Sequence, residues 1–255
     1  MGAMLFEILR RGRGASNEPF EVGETGVMGV TNLFVDLYAA RSEGALVLFD
    51  TGMDPRGRPI DRLLESLGAS RADVTDVFLT HCHPDHVAGA RLFPGARIHV
   101  GAADHPRLTG AVPPLRAAER WFRRILPTPN VYPTDLHEGT KEVPIGRGSA
   151  PVLVLAIPGD TPGACAFLFQ QVLFVGDAFD FRGGRLRPAW NYATDDARQN
   201  LQSIAELPQR IEGLPLEFVC TAHGGPTPPG EARALLTNVA EVARAELASG
   251  SAAPA

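Results

Sequence analysis

The sequence predicts an α+β chain folded as a layered sandwich, with two β-sheets inside and helices outside. Three observations carry that prediction. Short apolar runs alternate with segments of helical periodicity. The alternation occurs twice, on either side of an irregular, proline-containing middle. In both halves, histidines and aspartates stand where an apolar run ends, as elements converging on one sheet edge would place them.

Taken in order, "NLFVDLY" (Asn32–Tyr38) and "ALVLFD" (Ala45–Asp50) are strand-like, joined by a polar turn containing a glycine. "RPIDRLLESLG" puts Ile60, Leu63, Leu64 and Leu67 on one helical face, and Gly68 stops it. "VTDVFLT" (Val74–Thr80) is a strand running straight into "HCHPDH", and "RIHV" (Arg97–Val100) is another. In the second half, "PVLVLAI" (Pro151–Ile157), "ACAFLF" and "VLFVGD" (Val172–Asp177) read as strands, with Gln170–Gln171 as a tight turn. A helix over about Asp195–Leu207 aligns Ala197, Leu201 and Ile204. "LEFVC" (Leu216–Cys220) is a buried strand, and a last helix, about Glu231–Leu247, carries Leu235, Val239 and Val242. The chain is expected to form one domain over 1–248. Residues 105–143 form an insert over the site, too short for a core of their own, and 249–255 a disordered tail.

Composition narrows the function. With 255 residues, 44% of them hydrophobic, the chain can bury one substantial core. A net charge of −5 gives no reason to expect nucleic acid as a partner. No run approaches the ~18 apolar residues of a membrane span, and three scattered cysteines are no disulfide framework. A cytoplasmic protein is expected; the sequence sets no oligomeric state.

The chemistry concentrates in "LTHCHPDHVAGA" (Leu79–Ala90). His81 and His83 are two apart, so on extended backbone they face the same side, and Cys82 the other. Pro84 suits a first helical turn, which would swing Asp85 and His86 around the same point. Imidazole and carboxylate together are donors for Zn, Fe, Mn or Co. The alternative, four solvated loop residues, would leave a self-repelling histidine cluster.

HCHPDH resembles the HxHxDH signature of the metallo-β-lactamase superfamily of metal-dependent hydrolases. Three more motifs follow the family's order. "LFDTG" (Leu48–Gly52) offers Asp50 as support for the metal loop, "LFVGDAF" (Leu173–Phe179) offers Asp177, and "TAHGGPT" (Thr221–Thr227) offers His223. The spacings are 74 residues from His86 to Asp160, 17 to Asp177 and 46 to His223. The resemblance implies an αββα sandwich of two mixed sheets flanked by helices. It also implies two divalent metal ions, Zn foremost, with Fe or Mn as options. Site one would comprise His81, His83 and Asp160, and site two Asp85, His86 and His223, with Asp177 bridging.

One position departs from the pattern: where the family's third motif reads PGHTPG, this chain reads PGDTPG, placing Asp160 at the histidine. Three outcomes are open. Asp160 ligates through oxygen, favouring harder ions, though its side chain is shorter than imidazole; site one is weak or empty; or the protein keeps the fold and is catalytically impaired or non-catalytic. The resemblance implies that a working site would activate water against a small-molecule ester, lactone or related substrate, with Asp85 or Asp177 moving the proton. Glyoxalase II-like relatives add a C-terminal helical region that binds glutathione, so a lactonase or esterase is the less committed expectation.

Lesser candidates surround the site. Trp121 and Phe122, among Arg116, Arg120, Arg123 and Arg124, form either a lid or a solvated helix face. Trp190, Tyr192 and Asp180 are candidate pocket residues, with packing or a turn as the plainer roles. His99, His105 and His137 are expected to be exposed, His105 alone being a possible substitute for the missing imidazole.

Overall fold

The protein is described by a computed structural model covering residues 17–117, 119–120, 124, 130–146, 151–189 and 194–250. Its first sheet has seven strands in sequence order: β1 (Phe20–Glu21), β2 (Val27–Asn32), β3 (Val35–Ser42), β4 (Ala45–Phe49), β5 (Asp76–Phe78), β6 (Arg97–Gly101) and β7 (Asp135–His137). β1 to β4 pair antiparallel, and β4 to β7 parallel. β8 (Thr140–Val143), β9 (Val152–Ala156), β10 (Cys165–Phe169) and β11 (Val172–Phe174) begin the second sheet. A separate hairpin, β12 (Phe179–Arg182) and β13 (Arg185–Pro188), precedes β14 (Phe218–Thr221) and β15 (Gly225–Pro226). The second sheet runs β15-β14-β11-β10-β9-β8, with β11–β14 its parallel pair. The helices are α1 (Arg58–Ser66), α2 (Pro84–Val87), α3 (His105–Leu108), α4 (Ala197–Arg210) and α5 (Ala232–Ser249).

The period of two in the strands builds the layers. Val47 and Phe49 of β4 face the space between the sheets, while Leu46 and Leu48 pack with Ile60, Leu63 and Leu64 of α1. In β10, Phe167 and Phe169 point inward, and Ala166 and Leu168 meet Leu201, Ile204, Leu235 and Val239 of α4 and α5. Phe49 stacks on Phe174 with ring centroids 3.8 Å apart, joining the two sheets at their centre. Each such buried side chain stabilises the fold by roughly 1.5–3 kcal/mol. The result is the expected αββα sandwich of mixed sheets.

Several boundaries differ from the sequence reading. "NLFVDLY" is a hairpin rather than one strand: Leu33 adopts φ 65° between β2 and β3. The strand read over Val172–Asp177 ends at Phe174, because Gly176 turns the chain (φ 54°) against Thr80, where a Cβ would lie 2.5 Å from Oγ1. α4 continues through Pro208 to Arg210, whose guanidinium donates to Ala156 O at 2.6 Å and Thr140 Oγ1 at 2.7 Å. The end of the 105–143 segment is no cover: it supplies β7 and β8, one edge strand to each sheet. Their sequences, DLH and TKEV, are too polar to show apolar alternation. α5 reaches Ser249 and is closed by Gly250 in the left-handed region (φ 67°), so the segment read as tail begins in helix; 251–255 lie outside the described residues.

His99 and His137 are buried rather than exposed. His99 Nε2 meets Asp76 Oδ1 at 2.9 Å, and its Nδ1 meets His137 Nε2 at 3.1 Å. Parallel pairing of β5, β6 and β7 lines the three up inside the molecule, a register that a strand's own sequence does not disclose.

Candidate metal centre

Parallel pairing of β4 with β5 and of β11 with β14 brings Asp50, Thr80, Asp177 and His223 to one edge of the sandwich. The strand-to-helix turn His81–His86 sits between them. Two groups of donor atoms result, each with its atoms within 4.8 Å of one another: His81, His83, Asp160 and Asp177; and Asp85, His86, Asp177 and His223. Asp177 belongs to both. His105 belongs to neither, so nothing here makes it a substitute imidazole.

The distances show a converging set. Asp160 Oδ2 lies 3.3 Å from His81 Nε2 and 3.2 Å from His83 Nδ1. Asp177 reaches His86 Nε2 at 3.3 Å and His223 Nε2 at 3.2 Å. Asp85 Oδ2 is 3.7 Å from both His86 Nε2 and His223 Nε2. His86 Nε2, Asp160 Oδ2 and Asp177 Oδ1 are buried atoms with no hydrogen-bond partner. Orphaned donors and acceptors of this kind are costly unless something fills the space between them, and an imidazole and carboxylate set fits a divalent cation.

The shared edge is electrostatically tense. Burial disfavours charge on His86 and His223, yet the carboxylates outweigh it. They raise His86 well above the usual imidazole range and push His223 up to about 9, Asp177 contributing most. Burial is likewise outweighed at His83, pushed up to about 10 chiefly by Asp160. Burial and the charges of His86 and His83 hold His81 down, and so neutral. Asp177, despite its own burial, is held well below the carboxylate range by His223 and His86. A cation entering this set would displace protons from it.

Asp50 sits behind the turn and is fully engaged. Its carboxylate accepts from Thr80 N, Thr80 Oγ1 and His86 Nδ1, all at 2.8 Å. Thr80's single proton is thereby committed to Asp50, so its oxygen accepts from His81 Nδ1 at 3.0 Å. His223 Nδ1 donates to Phe34 O at 2.9 Å, with Phe34 stacked alongside the imidazole. These contacts leave the Nε2 of His81, His86 and His223 facing inward.

The Asp160 loop depends on residues the sequence did not single out. Buried Asp104 accepts from Thr161 Oγ1 at 2.6 Å and Gly163 N at 2.9 Å. Thr194 Oγ1 donates to Asp160 Oδ1 at 3.2 Å, and Asp195 N donates to Asp160 O at 2.9 Å. Asp195 is gripped by Arg107, and its carbonyl accepts from Arg116 Nη2 at 2.8 Å. Arg116 therefore belongs to a clamp rather than a solvated face. Glu119, also buried, lies 3.8 Å from His83 Nε2. In sequence, nothing around "AADHPR" sets these residues apart.

Asp180 is neither at the donor groups nor in a turn; it is a strand residue paired with Arg182 Nε at 2.6 Å. Trp121, Phe122, Trp190 and Tyr192 lie outside the described residues, as does Arg123. Cys82 packs in the α1-side core, away from the donors.

Fold, motif order and converging donors define a class, and comparison with known proteins agrees. The family model of the metallo-β-lactamase superfamily matches residues 30–223, and the chain belongs to that superfamily. Similar curated proteins include a hydroxyacylglutathione hydrolase of Fuscovulum blasticum, 32% identical over 74% of this chain and 62% of that protein. A probable metallo-hydrolase of Mycobacterium tuberculosis is 28% identical over 79% of this chain and 77% of that protein. The chain thus spans less than two thirds of the first relative's length. Among solved structures, a subclass B3 metallo-β-lactamase of Bradyrhizobium japonicum superposes with TM-score 0.63 at 21% identity, covering 96% of this chain and 98% of that one. The fold is shared. No described helix is long and apolar enough to cross a membrane.

Proposed function

We propose that this chain hydrolyses a small-molecule ester, lactone or thioester with two divalent metal ions, zinc foremost. His81, His83 and Asp160 would hold the first ion, Asp85, His86 and His223 the second, and Asp177 both. When bound, such ions lower the pKa of water and polarise the bond under attack. The chain's own residues do the rest. Asp85 Oδ2, midway between His86 and His223, accepts a proton from the attacking water and returns it to the leaving group. Asp177, kept ionised by its histidines, balances their charge. Asp50, Thr80 and Phe34 O keep the imidazoles turned inward.

The observation that carries this reading is the reach of Asp160. A carboxylate is shorter than an imidazole, yet Oδ2 arrives within 3.3 Å of His81 Nε2 and 3.2 Å of His83 Nδ1 because its loop is clamped inward. That favours a ligating aspartate over an empty first site. Thioesters join lactones and aryl esters as the substrates to try, since the similar protein of Fuscovulum blasticum is named a hydroxyacylglutathione hydrolase. The test is elemental mass spectrometry on protein purified without chelators or a histidine tag, followed by that substrate panel. About two ions per chain with metal-dependent turnover is expected. One ion or none after adding Zn, Mn or Fe(II) overturns the two-ion site, and two ions with no turnover on any class supports a non-catalytic binding protein instead.

A further inference from the structure

A histidine that ligates through one nitrogen needs its other nitrogen held, because that contact fixes both the tautomer and the ring's aim. Three of the four histidines here have such a partner on Nδ1: Thr80 Oγ1 for His81, Asp50 for His86 and Phe34 O for His223. His83 is turned the other way. Its Nδ1 faces Asp160 Oδ2 and, at 2.9 Å, His81 Nε2, so its outward nitrogen is Nε2. That atom is buried and makes no hydrogen bond, and the carboxylate facing it is Glu119 Oε2 at 3.8 Å.

We propose that Glu119 is the positioning residue of His83, its carboxylate holding the proton on Nε2 so that the Nδ1 lone pair is free for the first metal ion. The assignment rests on the metal-site reading above. The alternative tautomer would put N–H on Nδ1, pointed into the donor group, and remove one donor from a site already short of an imidazole. Two features of Glu119 support the role. It is only 8% exposed, so solvent screens its charge little at His83. It also stands on the segment that Arg107 and Arg116 tie to Asp195, and Asp195 N in turn holds the Asp160 loop, so one clamp positions both Glu119 and Asp160. The middle segment would thus supply part of the support of the first ion.

The test compares wild type, E119Q, E119D and E119A by Zn(II) titration against a chromophoric chelator, alongside melting of the metal-free proteins. E119Q keeps the shape and removes the charge. It is expected to weaken one of the two zinc sites by about 10–100-fold, leave the other within about 2-fold, and melt like wild type when metal-free. E119D is expected to recover part of the loss, and E119A none. Undiminished binding of both ions by E119Q overturns the assignment. So does a loss shared equally by both sites with a lower metal-free Tm, which marks a merely structural role. Wild-type protein that takes up no zinc overturns the metal-site reading itself, and the assignment with it.

Discussion

Replacing Asp160 with the histidine usual at this motif position should harm the protein rather than improve it. The loop carrying residue 160 has no room to retreat. Asp104 holds Thr161 Oγ1 and Gly163 N, Asp195 N holds Asp160 O, and Asp196 N holds Gly159 O at 2.9 Å. Behind it, a Cβ on Gly159 would lie 2.2 Å from Asn200 N, so the loop already touches α4. A larger ring must therefore push into the space between His81 and His83, and overpacking of that kind costs about 1–3 kcal/mol. Thr194 Oγ1 also loses its carboxylate acceptor, a further ~1 kcal/mol. The sum, about 2–4 kcal/mol, corresponds to a fall in Tm of roughly 5–15 °C for a chain of this size. Differential scanning calorimetry of metal-free wild type and D160H reads it directly. Zinc stoichiometry and turnover on whichever substrate wild type accepts should fall together. D160N, matched in shape, should lose the first ion, and its metal-free Tm should also fall because buried His83 loses the carboxylate paired with it at 3.2 Å. A D160H protein with unchanged Tm and higher turnover would refute the reasoning and mark Asp160 as an impairment.

Two further outcomes follow from the same contacts. D50N removes the charge from a carboxylate taking three hydrogen bonds and forces its NH2 against Thr80 or His86. Zinc affinity at the second site should drop about 10–100-fold, measured by chelator competition; wild-type affinity would show that Asp50 does not orient His86. Away from the centre, burial, with His99 and Lys141 adding to it against Asp135, holds His137 down to about 4, and Arg97 acts in the same direction. Below pH 6.5 the unfolded chain binds this proton and the folded one does not, so its contribution is full above 6.5 and is lost as pH falls towards 4. Asp76, facing the other end of the chain through His99, stays ionised across that window: burial opposes its charge, but His99, Thr75 and Arg97 hold it below the carboxylate range. Urea denaturation at pH 7 and pH 5 should show H137Q losing less stability on acidification than wild type, by on the order of 1–2 kcal/mol after discounting the shift for screening. Equal losses would place His137's proton exchange elsewhere.

The sequence discloses the layers and the donor motifs because both are local. Alternation in "ALVLF" assigns Leu46 and Leu48 to one face and Val47 and Phe49 to the other, as found. His81, His83, Asp85 and His86 lie within one turn, so their convergence needs no knowledge of the rest of the chain. What stays hidden is whatever depends on register between distant segments. The Asp76–His99–His137 chain arises from three parallel strands, and the three residues look like ordinary polar positions when each strand is read alone. The Leu33 turn hides inside an apolar run because nothing but its positive φ marks it.

The surroundings of Asp160 show most clearly what a motif cannot carry. Read as a motif, PGDTPG is the family's loop with one ligand replaced by a shorter one. In the fold, the replacement comes with a neighbourhood suited to a carboxylate. Thr194 offers a proton to Oδ1, which Nε2-ligating imidazole would not need, while Oδ2 turns to the histidines. Asp104, fifty-six residues before it in sequence, draws the following residues in. Arg107 and Arg116, from the segment before β7, fix Asp195, and Asp195 fixes the backbone of residue 160. None of these contacts is predictable from the position that changed. A site that has merely lost its histidine should have an idle aspartate facing solvent; Asp160 is 1% exposed and held from three directions. That burial supports the proposal that the carboxylate is a part of the centre, and the ion it would favour, a harder one than three histidines would select, is where this chain should differ from its relatives.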